Sequence, residues 1–122
     1  NDVLFTYQAV LLEENAIDWR SNLLQNGEPF QFEVVDDHTF KVILTQADAT
    51  VLTALSIPIV PAHAFESLNV VDAPFNTNPI GTGPFRFVEW NTGENIVLEA
   101  HADYWRGAPK LDRIVVSFIE GV

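Results

Sequence analysis

The chain has 122 residues, 48% of them hydrophobic, which is enough for one domain with a core and too few for two. Six basic residues against seventeen acidic ones leave a formal charge of -11, which repels phosphate backbones and anionic headgroups, so no nucleic-acid partner is expected. No cysteine is present, which removes disulfides and thiolate metal sites and leaves the compartment undecided. The sequence shows neither an apolar run long enough to span a bilayer nor a basic-apolar-small leader. Because it starts at Asn1 and lacks methionine, it is expected to derive from a longer or processed chain.

In chain order, Asn1 or Asp2 can cap a first helix whose apolar positions Leu4, Tyr7, Val10 and Leu11 fall at helical spacing, ending near Glu14-Asn15. Residues 16–31 lack a clean period and finish in Asn26-Gly27-Glu28-Pro29, which predicts a loop with one short helical piece. From Phe32 the period becomes two, through Val34, the turn Asp36-Asp37-His38, and then Phe40, Val42 and Leu44, the pattern of a hairpin. Thr45 to Leu55 returns to helical spacing with Asp48 as cap, Pro58 and Pro61 close it, and 62–68 suggests another short helix. After an Asn- and Pro-rich loop over 69–79, Phe85–Trp90 and Asn95–Ala100 predict a second hairpin. Leu111–Ile119, dense in β-branched and aromatic residues, predicts a buried strand. The fold class is α+β: an antiparallel or mixed sheet of about five strands with two or three covering helices.

Few residues offer chemistry. His38, His63 and His101 are far apart and without ligand spacing, so no metal site or cofactor is expected. No serine sits in a nucleophile elbow, and Asp36-Asp37 belongs to a turn, since adjacent strand residues point to opposite faces. Gly81-Thr82-Gly83 lacks the lysine and the following helix of a phosphate cradle. Trp90, Tyr104 and Trp105, beside strands and a Gly-Pro corner, read as packing rings. Trp19-Arg20 lies in the loop-like segment, where an aromatic face and a guanidinium suit ligand stacking or carboxylate pairing.

Four blocks carry a resemblance: Asp2-Val3-Leu4-Phe5-Thr6, Val35-Asp36-Asp37-His38-Thr39, Ile59-Val60-Pro61-Ala62-His63, and Gly81-Thr82-Gly83-Pro84-Phe85 with Tyr104-Trp105-Arg106-Gly107. Their order and spacing resemble the extracytoplasmic solute-binding proteins of peptide- and nickel-type ABC importers, family 5. The resemblance implies that residues 1–122 are an internal fragment of the first lobe of a two-lobed, periplasmic-binding-protein-like (type II) fold, with the second lobe absent. It implies no enzymatic activity, and capture of a peptide or other small solute outside the cytoplasmic membrane for delivery to an ABC permease. Localisation would be periplasmic or extracellular, with membrane contact only through the transporter or a lipid anchor elsewhere. By the same resemblance, Trp19, Arg20 and Ser56 map loosely onto cleft-lining stretches, and the Gly-Thr-Gly-Pro residues serve backbone shape, the glycines supplying unusual dihedrals. Two alternatives stay open: a solute-binding-like sensor domain of a regulatory protein, distinguished by an upstream DNA-binding helix pair, and a non-catalytic fragment of an enzyme.

Overall fold

The structure is a computed structural model that describes residues 2–119. Its contacts divide the chain into two compact units, residues 1–73 and 74–122. The class is mixed α+β, but the expected single sheet is replaced by three small antiparallel ones: β1 (Leu24–Gln25) with β2 (Glu28–Pro29), β3 (Gln31–Val34) with β4 (Phe40–Ile43), and β5 (Phe85–Asn91), β6 (Asn95–Ala100) and β7 (Arg113–Ser117) as a meander.

In the first unit, helix α1 (Asp2–Leu11) is the longest helix among the described residues. The capping expectation for Asn1 lies outside the described residues. Asp2 is already helical, and its Oδ1 accepts the Ala62 amide at 3.0 Å instead of capping its own helix. One turn on, the Thr6 hydroxyl donates to the Asp2 carbonyl at 2.8 Å and accepts the Val60 amide at 3.0 Å. The Asp-Val-x-Phe-Thr and Ile-Val-Pro-x-His blocks are therefore two halves of one joint, in which helix side chains satisfy the backbone of a strand-like segment that has no ladder of its own. Behind that joint, Tyr7 and Val10 pack with Leu23, Phe30 and Ile57 to form the core. Leu23 is fully buried, and Tyr7 stacks on Phe32 with ring centroids 5.0 Å apart. The Tyr7 hydroxyl donates to the Leu55 carbonyl at 3.0 Å, and burial raises its pKa.

The chain leaves α1 through a 3-10 turn at Glu13–Asn15 and a left-handed residue, Ala16, with φ 48°. Asn15 is the staple here. Its buried amide donates to the carbonyls of Ala9 and Leu68, both at 2.7 Å, and its oxygen accepts the Val70 amide at 3.4 Å. The helix expected over 45–55 shrinks to one turn, α2 (Val51–Ala54). Asp48 is not its cap: Oδ1 accepts the Thr50 amide at 2.8 Å and hydroxyl at 2.7 Å, a local turn that competes with helix. The short helix expected over 62–68 is a 3-10 turn at Ala62–Ala64.

In the second unit the meander takes the predicted hairpin, turning at Gly93 with φ 82°. Phe85 and Phe87 alternate with Arg86, after which a bulge between Phe87 and Glu89 shifts the phase by one residue. The shift returns Trp90 to the face of Phe85 and Phe87, opposite Ile96 and beyond it Val116. Arg86, Glu99 and Arg113 align on the other face, with Arg86 Nε 2.7 Å from Glu99. The strand expected to be buried, β7, is largely exposed: Val115 is 52% and Val116 46% accessible. As an outer strand it has only β6 beside it among the described residues. Gly81 and Gly83 also depart from expectation. Neither has a positive φ, which occurs at Gly27, Gly93 and Gly107 instead. The Gly-Thr-Gly-Pro segment acts through its carbonyls: Gly83 O lies 3.2 Å from His101 Nδ1, and Pro84 O accepts the His101 amide at 2.9 Å.

Candidate functional site

The segment carrying Trp19 and Arg20 is a 3-10 helix, Asp18–Leu23, held at its end by the buried Leu23. Trp19 is 44% exposed, a large apolar ring left on the surface of a segment that is otherwise anchored. Arg20 is engaged within the chain: Nε donates to the Leu11 carbonyl at 3.0 Å and Nη2 to the exposed Glu13 Oε1 at 2.7 Å. It thus satisfies a carbonyl at the C-terminus of α1 with a positive group, where both the orphan acceptor and the helix dipole favour it. Ser56 is exposed and follows α2, its amide bonded to the Thr53 carbonyl at 3.1 Å.

Beside this segment runs a groove of about 310 Å³ with Ser21, Asn22, Asp48, Thr50 and Thr53 as its polar wall and Leu24 and Phe30 among its apolar lining. Trp19, Arg20 and Ser56 do not line it. The segment leading to the Asp48 wall of this groove is held by a residue that carries no motif in the sequence. Gln25, 7% exposed on β1, accepts through Oε1 from the Thr45 amide at 3.1 Å, the Thr45 hydroxyl at 2.7 Å and the Gln46 amide at 3.1 Å, and donates to the Gln46 carbonyl at 3.2 Å. One buried amide side chain therefore fixes the approach to the Asp48 turn. The Asp48 carboxyl, bonded by both Thr50 groups, is held below its ordinary pKa and stays ionised at neutral pH. The signal for this arrangement was Asn26-Gly27, which closes β1 and β2 as a two-residue hairpin and delivers Gln25 to its place.

The remaining candidates are structural. Asp36 Oδ1 accepts the His38 amide at 2.8 Å, which lowers its pKa and marks a turn. His63 is exposed, and His101 is tied to the Gly83 segment. Among the described residues, no three His, Asp or Glu side chains converge as a metal site. Trp105, expected to pack, is 72% exposed with the Arg106 guanidinium 4.3 Å from its ring centre. In the second unit an apolar groove of about 460 Å³ lies over the face formed by Phe85, Phe87, Trp90, Ile96, Leu98 and Val116.

The family model for bacterial extracellular solute-binding proteins, family 5, middle, matches residues 1–121. The chain belongs to this family, whose members bind solutes and are not enzymes. It is 37% identical over 92 residues to heme-binding protein A of Haemophilus influenzae, covering 71% of this chain and 17% of that protein. Among solved structures, the ABC transporter substrate-binding protein CtaP of Listeria monocytogenes superimposes with a TM-score of 0.89 at 36% identity, over 97% of this chain and 25% of that one. The oligopeptide-binding protein AppA of Bacillus subtilis, in complex with a nonapeptide, superimposes with a TM-score of 0.78 at 30% identity, over 97% and 24%. The chain spans a quarter or less of the length of these relatives.

Proposed function

We propose that residues 1–122 form part of the first lobe of a two-lobed, type II solute-binding protein that captures peptides or similar small solutes outside the cytoplasmic membrane and hands them to an ABC permease. The observation that carries this reading is the match, over 97% of the chain, to the Bacillus subtilis protein whose structure holds a nonapeptide. In this reading the protein is periplasmic or extracellular and meets the membrane through the transporter or through an anchor outside these residues. The family points to binding, and a protein that grips without bond-making chemistry needs what this chain offers: a wall tied to the core by buried contacts and an exposed aromatic. Ligand shifts an open-closed equilibrium through its greater affinity for the closed form, which takes a second wall beyond these residues.

Within this chain we assign ligand contact to Trp19, Arg20 and Ser56. The Trp19 ring supplies a stacking face on a segment that Leu23 and Arg20 hold in place. Arg20 already uses Nε and Nη2, so Nη1 is the donor we assign to a ligand carboxylate. Ser56 offers its hydroxyl from an exposed position just after α2.

The test is native mass spectrometry of the full-length parent purified from its own host. The expected result is a co-purified peptide or small solute, displaced by excess short peptide. A parent that carries no ligand, and whose melting temperature no peptide raises, contradicts the proposal.

A further inference from the structure

Asn26-Gly27 is the one Asn-Gly pair in the chain, and the fold sets it at the tip of the two-residue hairpin between Gln25 and Glu28. Both residues are exposed, with φ 55° at Asn26 and 83° at Gly27, and no atom beyond the chain neighbours lies within 4 Å of where a Cβ on Gly27 would stand. Gly27 therefore brings no side chain, and its Cα faces no neighbouring atom, that would obstruct ring closure between its nitrogen and the Asn26 side chain. Other asparagines are differently placed. Asn15 is buried with its amide doubly bonded, and Asn22, Asn69, Asn91 and Asn95 precede residues with side chains.

We infer that Asn26 is a site of spontaneous deamidation that acts as an ageing switch on the Gln25 clamp. The Gly27 nitrogen attacks Asn26 Cγ, the new N–Cγ bond forms, the Cγ–Nδ2 bond breaks, and ammonia leaves with the proton released by Gly27. Water then opens the succinimide. Attack at Cγ gives aspartate, and attack at the main-chain carbonyl gives isoaspartate, in which the backbone runs through the side chain. No oxidant or reductant takes part.

The consequence follows from the turn. A two-residue hairpin has no slack, and isoaspartate inserts an extra backbone carbon into it. The pairing of Leu24 with Pro29 and Gln25 with Glu28 is only two residues deep, so it cannot absorb the insertion. Gln25 then loses the register that holds its amide against Thr45 and Gln46, and with it the approach to the Asp48 turn loosens.

The experiment incubates the full-length parent in warm, mildly alkaline buffer and follows residues 1–122 within it by peptide mapping, isoaspartyl-methyltransferase labelling and hydrogen exchange. The expected result is conversion confined to the peptide holding Asn26, with both acid products, and faster exchange of the Thr45 and Gln46 amides in aged protein. An Asn26→Gly variant keeps a turn-competent residue, and its Thr45 and Gln46 exchange should be unchanged by ageing. Absence of conversion at Asn26, or equal conversion at Asn22 and Asn69, overturns the site. Conversion with unaltered exchange at Thr45 and Gln46, or equal loss of protection in Asn26→Gly, overturns the link to the clamp.

Discussion

Replacing Gln25 with leucine tests whether one buried amide organises the groove side of the first unit. The substitution preserves bulk and removes four hydrogen bonds, three accepted by Oε1 and one donated by Nε2. At a net value near 1 kcal/mol per bond, the upper figure is about 4 kcal/mol. Thr45 and Gln46 are exposed, so water re-satisfies part of what they lose, and leucine gains some apolar burial. The expected loss is therefore about 1–3 kcal/mol. Urea unfolding in a Trp90→Phe, Trp105→Phe background reads it, because Trp19 alone then reports and it lies in the same unit. Gln8→Leu, an exposed helical position, is the control and is expected to stay within about 0.5 kcal/mol. A Gln25→Leu loss no larger than that control would refute the clamp.

Leu23→Ala should cost about 3–5 kcal/mol, since Leu23 is fully buried among Tyr7, Val10, Phe30 and Ile57, and the same unfolding assay checks it. Asp36 and Asp48 should titrate below ordinary carboxylates by NMR of their side-chain carbons. Folding lowers both pKa values, so their stabilisation is present above the unfolded-state pKa and fades as pH falls through the folded one. Midpoints at or above the usual aspartate value would remove the turn bonds from the account.

Much of the fold was legible where side-chain period and burial agree. Helix α1 and the β3–β4 hairpin are legible from the repeat of their apolar residues, and the β5–β6 hairpin from two strand-like runs around the turn Asn91-Thr92-Gly93-Glu94. What failed was the assembly of strands into one sheet, because local period says nothing about which strands become neighbours. The helix expected over 45–55 failed because Asp48 and Gln25 spend the backbone groups of residues 45, 46 and 50 on side-chain bonds, which apolar spacing does not register. The tip Asn26-Gly27 shows in the sequence as turn composition without its strands, since Leu24-Gln25 and Glu28-Pro29 are too short to show alternation. β7 was rich in β-branched residues, yet composition cannot say what covers a strand. Trp19 is legible as an aromatic in an aperiodic segment, and the structure leaves its ring 44% exposed. Gln25 is not legible, because its partners are backbone groups twenty residues away in sequence.

The most direct measurement is a pair of calorimetric titrations with the same short peptides, one on the full-length parent and one on the 122-residue chain. The expected result is tight, saturable binding by the parent, weakened by Trp19→Ala, and weak or no heat from the chain alone. Low-micromolar binding by the isolated chain, or a parent that binds no peptide or other small solute, would contradict it.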